Sequence, residues 1–172
     1  DTSGRGVDGR LIDAASYDAN ERALVFDGSN DYITTSSRAH FTENSCAHSF
    51  SAWINFHSAG QWETVYSFGT NSGSANNFSV YVGNNVFRLE SRGVTSSNGG
   101  AIYRDYTYTF KDSTWVHMAV TWDGTGGVDN VNVYMDKVKL SQGSAVSNGT
   151  SSITLPSSYP IYLGADVTTP GS

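Results

Sequence analysis

Apolar and polar residues alternate along most of this chain. In Ser49-Phe50-Ser51-Ala52-Trp53-Ile54-Asn55-Phe56, the side chains of Phe50, Ala52, Ile54 and Phe56 fall on one side and those of Ser51, Trp53 and Asn55 on the other. That is the period of two of a half-buried β-strand. The same period runs through Phe78-Val80-Val82, Phe87-Leu89, Val116-Met118-Val120 and Val131-Val133-Met135. Clusters of Gly, Asn, Asp or Ser bound each run. Gly83-Asn84-Asn85 and Asp123-Gly124-Thr125-Gly126-Gly127 join successive runs with residues that tolerate positive φ, so both read as hairpin joints. No stretch sustains a helical period, and the Ser-, Asn- and Gly-rich segments 71–76, 94–100 and 143–152 read as long loops. About ten short strands between polar turns predict an all-β fold, a two-sheet antiparallel β-sandwich or jelly roll. Each sheet has one apolar face, and that face must be covered by another sheet.

A length of 172 residues gives one domain, 1–172, room for a full core. Charged residues make up only 15% of the chain and aromatics 13%, the composition of a chain that folds rather than a disordered polyelectrolyte. The net charge of −6 leaves no basic stripe to neutralise phosphates, which argues against nucleic acid and against anionic membrane surfaces. No apolar run approaches the roughly 20 residues of a membrane span, so no membrane insertion is expected. The single cysteine, Cys46, excludes an internal disulfide.

Four stretches, in order, carry a family resemblance: Ala23-Leu24-Val25-Phe26-Asp27-Gly28-Ser29-Asn30-Asp31-Tyr32-Ile33, Phe50-Ser51-Ala52-Trp53-Ile54, Trp115-Val116-His117-Met118-Ala119-Val120-Thr121-Trp122-Asp123-Gly124, and Val133-Tyr134-Met135-Asp136. Together they resemble the laminin-G-like jelly rolls of the concanavalin-A-like lectin superfamily, over Asp1 to about Asp166. The opening Asp1–Leu11 is similar to the first strand of such domains. The resemblance implies a further strand after Ile161-Tyr162-Leu163-Gly164, of pattern Gly-x-Ile-Asp/Ser-x-Val. No such pattern follows here, so the domain is expected to lack or be cut before its usual final strand, leaving a sheet edge unpaired. Where relatives have Asp-Gly in a hairpin, this chain has Asp136-Lys137, so that turn is expected to differ in shape.

The resemblance also implies a structural Ca²⁺ at Asp27. Asp27, Asn30 and Asp31 put two carboxylates and an amide into one tight turn, and a cation of this type takes six to eight oxygens, backbone carbonyls among them. Asp166, in Gly164-Ala165-Asp166, is the candidate second contribution. An equally weighted reading makes Asp27 and Asp31 caps of a hairpin turn.

A second constellation faces away from the core. Alternation turns Trp53, Asn55, Tyr81, Arg88, Glu90, Trp115, His117, Asn132 and Tyr134 outward, and neighbouring strands would gather them on one face. Sugars stack their C–H faces on aromatic rings and satisfy hydroxyls on planar amide, guanidinium and carboxylate groups. Trp53, Trp62, Tyr81, Arg88, Glu90, Trp115, His117 and Tyr134 are therefore the candidate ligand-binding residues. Large aromatics are seldom left exposed, which favours loops folding over Trp53 and Trp115. Trp62, in Gly60-Gln61-Trp62-Glu63, is expected to be the most exposed of the three.

Catalysis is not expected. Sandwich glycosidases of this superfamily carry a Glu-x-Asp-x-x-Glu strand, because acid and nucleophile must stand about 5 Å apart, and nothing here matches. Glu90, between Arg88 and Arg92, reads as a solvated ion pair. His40, His48, His57 and His117 have no metal spacing, His117 reads as a structural histidine, and Cys46 near His48 is not a dyad. The sequence therefore points to a non-catalytic extracellular binding module, carbohydrate-binding or adhesive and calcium-stabilised. The competing reading is a structural subunit of a virion, extracellular filament or surface layer, with neighbouring subunits as partners, assembled as a homo-oligomer or within a larger chain through strand edges.

Overall fold

The structure is a computed structural model, described over residues 8–35, 47–56, 62–69, 77–83, 85–92, 101–123, 130–143 and 160–165. Among these residues there is no α-helix and nothing long and apolar enough to cross a membrane as a helix. The strands are β1 (Gly9–Ile12), β2 (Ser16–Asp18), β3 (Ala23–Val25), β4 (Tyr32–Thr35), β5 (His48–Asn55), β6 (Glu63–Gly69), β7 (Asn77–Gly83), β8 (Val86–Arg92), β9 (Ala101–Thr107), β10 (Trp115–Trp122), β11 (Val131–Met135), β12 (Val138–Lys139) and β13 (Ile161–Leu163).

Seven of them form a large sheet in the order β1-β4-β13-β6-β7-β8-β9, and four form a small sheet in the order β12-β11-β10-β5. A ribbon of β2 and β3 stands apart, and every pairing is antiparallel. The sandwich predicted from alternation is therefore the architecture found. The expected loops 71–76 and 94–100 and the joint after Asp123 lie outside the described residues, as does nearly all of 143–152.

The core fills the space between the two sheets. From the large sheet come Tyr66, Phe68, Phe78, Val80, Phe87 and Leu89, and from the small sheet Val116, Met118, Val120, Trp122, Val131 and Val133. Rings join the sheets: Phe50 stacks on Tyr66 with centroids 4.2 Å apart, and Phe78 on Trp122 at 5.4 Å. His48 enters this aromatic layer edge-on to Phe68 at 4.9 Å, and its Nε2 hydrogen-bonds the Tyr66 hydroxyl at 3.0 Å. Burial pushes the Tyr66 hydroxyl pKa well above its ordinary value. His48 is thus a packing residue, and its neighbour in sequence Cys46 lies outside the described residues.

β13 pairs with β4 on one side and β6 on the other, so Ile161–Leu163 lies inside the large sheet, and the expected loss of a strand after it falls outside the described residues. The β11–β12 turn keeps a two-residue hairpin without glycine: Asp136 and Lys137 both adopt left-handed backbone, with φ of 48° and 70°. Two successive positive φ values are those of a type I′ turn, whose twist suits the flanking strands. The shape is retained, and the strain is carried by non-glycine residues.

Candidate functional site

Register decides which side chains meet. On the small sheet Trp53 stands directly opposite His117, and Trp115 opposite Asn55. Ala119, the next outward residue of β10, stands opposite Tyr134 of β11. Because directly opposed residues share a face, Trp53, Trp115, His117 and Tyr134 form one surface on the side of the small sheet away from the core. The Trp53 and His117 rings lie 5.3 Å apart at 64°. Asp136 fixes the middle of this surface by accepting the His117 N–H at Oδ1 (3.0 Å) and donating its own N–H to the His117 carbonyl (2.8 Å).

The expectation that loops bury the two tryptophans is corrected here. Trp53 is 63% exposed and Trp115 39% exposed. Trp62 is exposed as expected, at 42%, but less than Trp53. The β5 and β10 strands hold both rings on backbone paired along its whole length, so the surface is set before any ligand arrives.

The remaining candidates lie on the opposite side of the molecule. Tyr81 stands opposite Arg88, and Arg88 opposite Asp105, on the outer face of the large sheet; Ser79, Glu90 and Tyr103 form the adjoining row. The predicted single face is therefore two faces separated by the whole sandwich, because the strands carrying Tyr81, Arg88 and Glu90 belong to a different sheet from those carrying Trp53, Trp115, His117 and Tyr134.

Arg88 is fully engaged on its own face. Its Nε and Nη2 donate to the two Asp105 carboxylate oxygens at 2.7 Å each, and its guanidinium lies 4.5 Å from the Trp62 ring centroid and 5.1 Å from that of Tyr103. The Asp105 hydrogen bonds raise the Arg88 pKa, outweighing the effect of burial. Glu90 is not solvated as its neighbours in sequence led one to expect: it is only 5% exposed, between Ser79 and Tyr103. Ser67 and Ser79 are buried beside it. The Glu90 row of this face is buried, while Arg88, Asp105 and Trp62 keep part of their surface in solvent. Asp105, Tyr103 and Asp136 were not among the sequence candidates, and only the pairing register reveals their partners.

In the turn before β4, Asp31 is 6% exposed, and its carboxylate accepts the Ala14 N–H at Oδ1 (2.8 Å) and the Asp27 N–H at Oδ2 (2.9 Å). Asp27 Oδ1 accepts the Ser29 N–H at 2.8 Å. Gly164, at φ 83°, packs against this turn, where a Cβ would sit 3.1 Å from the Phe26 ring and 3.3 Å from the Asp31 carbonyl. The structure thus brings the two segments named for a cation together, although Asp166 itself lies outside the described residues. As a donor set, Asp31 fits the role of internal brace. Asp27, with its second oxygen, and Asn30 are exposed and suit a hard cation. Among the described residues no cluster of three or more His, Cys, Asp or Glu could hold a metal.

A laminin G family model, described as the concanavalin A-like lectin/glucanases superfamily, matches residues 27–172. The chain belongs to this superfamily. Three solved structures share its fold. The botulinum neurotoxin serotype D binding domain superposes with a TM-score of 0.65 at 13% identity, covering 95% of this chain and 39% of that one. Domains LG4-5 of the mouse laminin alpha1 chain give 0.59 at 15% identity, covering 90% and 37%. The Ruminococcus gnavus IT-sialidase CBM40 bound to alpha2,3 sialyllactose gives 0.52 at 12% identity, covering 72% and 67%. At these identities the likeness is one of fold, and the chain spans about two-fifths of the toxin chain it matches. No curated protein matches the sequence.

Proposed function

We propose that this concanavalin A-like chain is a non-catalytic extracellular glycan-binding module whose binding surface is the outer face of the small sheet. One observation carries the reading: Trp53, on the edge strand β5 and held there by the pairing of β5 with β10, exposes 63% of its surface beside His117 and on the same face as Trp115 and Tyr134. An exposed, rigid indole is costly to leave in water and is suited to the C–H face of a sugar ring. The reading is supported by solved structures of this fold in complex with alpha2,3 sialyllactose, for a sialidase CBM40, and with N-acetylneuraminic acid, for the botulinum neurotoxin serotype D ligand binding domain. Among its described residues this surface carries no paired carboxylates of the kind a sandwich glycosidase uses.

In this reading Asp27 and Asn30 of the 27–31 turn, with Asp166, would hold a Ca²⁺, and Asp31 would brace the backbone beneath. The ion's chemistry would be structural, cross-linking the turn to the segment after β13.

A glycan array probed with wild type, Trp53→Ala and Trp62→Ala tests the function. Wild type is expected to bind, Trp53→Ala to lose binding by about 10- to 100-fold, the worth of one stacked ring, and Trp62→Ala to retain it. Equal loss in both variants, or no binding by wild type, would contradict the proposal. A second reading, a structural subunit assembled through strand contacts, is favoured by the exposed apolar side chains of Leu11, Tyr17, Leu24 and Val25 on β1 and the β2–β3 ribbon. A wild-type chain that binds no glycan and scatters light as an oligomer would move the weight to it.

A further inference from the structure

The outer face of the small sheet continues past Tyr134. Across the β11–β12 hairpin Tyr134 stands opposite Lys139, so the two side chains share that face. The chain then leaves the small sheet: Leu140 N–H still bonds the Val133 carbonyl at 2.9 Å, while Gly143 N–H bonds the Asp105 carbonyl of the large sheet at 2.9 Å. Residues 140–143 are therefore a strap that ties the two sheets together along one side. The strap lies close, since a Cβ at Gly143 would collide with the Asp105 carbonyl.

Between the strap and β11 lies a half-open groove of about 480 Å³. Its floor is the buried Tyr106, whose hydroxyl donates to the Val131 carbonyl at 3.1 Å and accepts from Gln142 Nε2 at 3.5 Å. Asn132, Lys139, Ser141 and Gln142 supply its polar lining, with Val131 and Leu140 the apolar part. Among the described residues the lining brings one ammonium, two amides and two hydroxyls and no carboxylate, in a chain with 16 acidic and 10 basic residues. The carboxylate of Asp105, whose backbone anchors the strap, is occupied by Arg88. Asp123 follows Trp122 one position beyond the Trp122–Val131 pair and is not part of the lining. Lys139 is the one charged group in the described lining, and it suits an anion although the chain as a whole is acidic.

We propose that this groove is the acidic-sugar subsite of the glycan surface, taking a carboxylate-bearing sugar residue. The carboxylate rests on the Lys139 ammonium as a charge-assisted hydrogen bond, and the ring hydroxyls meet Asn132, Ser141 and Gln142. Adjoining sugar residues run over Tyr134 toward His117 and Trp53. The four strands from β12 to β5 span about 14 Å at ordinary strand spacing, the reach of a short oligosaccharide rather than of one sugar. This inference rests on the small-sheet face being the glycan surface and adds the class of ligand.

The test is calorimetric titration of the intact chain with pairs that differ in acidity: trigalacturonate against its methyl ester, and sialyllactose against lactose. In each pair the acidic member is expected to bind tighter by on the order of tenfold at low salt. Lys139→Gln should erase that difference and its salt dependence, and Lys139→Arg should keep it. Lys139 is exposed at a strand end, so both variants are expected to fold. Equal affinity for acidic and neutral members, or a preference that survives Lys139→Gln, would overturn the subsite while leaving the glycan surface standing. Failure of every sugar to bind would overturn both.

Discussion

Replacing Asp31 by alanine isolates the brace beneath the 27–31 turn. Its carboxylate is buried and accepts two backbone N–H groups, from Ala14 at 2.8 Å and Asp27 at 2.9 Å, so it ties the β1–β2 connection to the turn before β4. A hydrogen bond to a charged group contributes about 1.5–3 kcal/mol. Two such bonds are lost, but Ala14 and Asp27 are exposed enough for water to recover part of the loss. The expected destabilisation is about 2–4 kcal/mol, a fall in Tm of roughly 5–15 °C for a domain of this size. Urea unfolding followed by tryptophan fluorescence reads it, and the measurement belongs in chelator, where a bound cation cannot contribute. Asp31→Asn keeps one acceptor but sets an amide N–H₂ against a backbone donor, so it should recover less than half of the loss. A loss below about 0.5 kcal/mol for Asp31→Ala in chelator, the scale of an ordinary surface substitution, would refute the bracing role. A large loss that appears only when calcium is present would make Asp31 a metal ligand instead.

Lys137 adopts φ 70° in an exposed turn, a conformation glycine reaches without steric cost. Lys137→Gly should therefore stabilise the chain by about 0.5–1 kcal/mol, raising the urea midpoint without changing its slope. Glu63 is half-buried opposite Val82, and burial raises its pKa above the ordinary 4.5. A raised carboxyl pKa gives a contribution that is full below the ordinary pKa and is lost as pH rises through the raised folded value. Glu63→Gln should thus match wild type near pH 3 and be the more stable of the two at pH 7, as read from paired urea titrations. The reverse order at pH 7 would show that the Glu63 carboxylate has a favourable partner.

How much of this was legible in the sequence depends on where the period of two is clean. Phe50-Ala52-Ile54 and Val116-Met118-Val120 carry it without interruption, and β5 and β10 were placed from them to within a residue or two. In β6 a register shift between Thr64 and Tyr66 breaks the alternation, so Glu63–Gly69 does not read as a strand. In β9 the position opposite Leu89 is Arg104, a charged residue on the core-facing row, and this hides Ala101–Thr107. The site suffered from the same gap. Without β9 there is no Asp105 to claim Arg88, and without strand order there is no way to see that Arg88 and Trp53 belong to different sheets. Alternation says which residues point away from the core, but only topology says which of two outer faces they reach. The exposure of Trp53 and Trp115 was likewise misjudged, since a general tendency of large aromatics to be buried says nothing about a surface kept open for a ligand.

The chain has four tryptophans, Trp53, Trp62, Trp115 and Trp122, each with an indole N–H visible by NMR. Titrating the ¹⁵N-labelled chain with a glycan that it binds on the array reads all four at once. The account predicts that the Trp53 and Trp115 signals move with the same saturation curve, while Trp122 in the core and Trp62 over Arg88 stay in place. Movement of Trp62 with Trp53 and Trp115 unmoved would put the ligand on the large sheet and contradict the account.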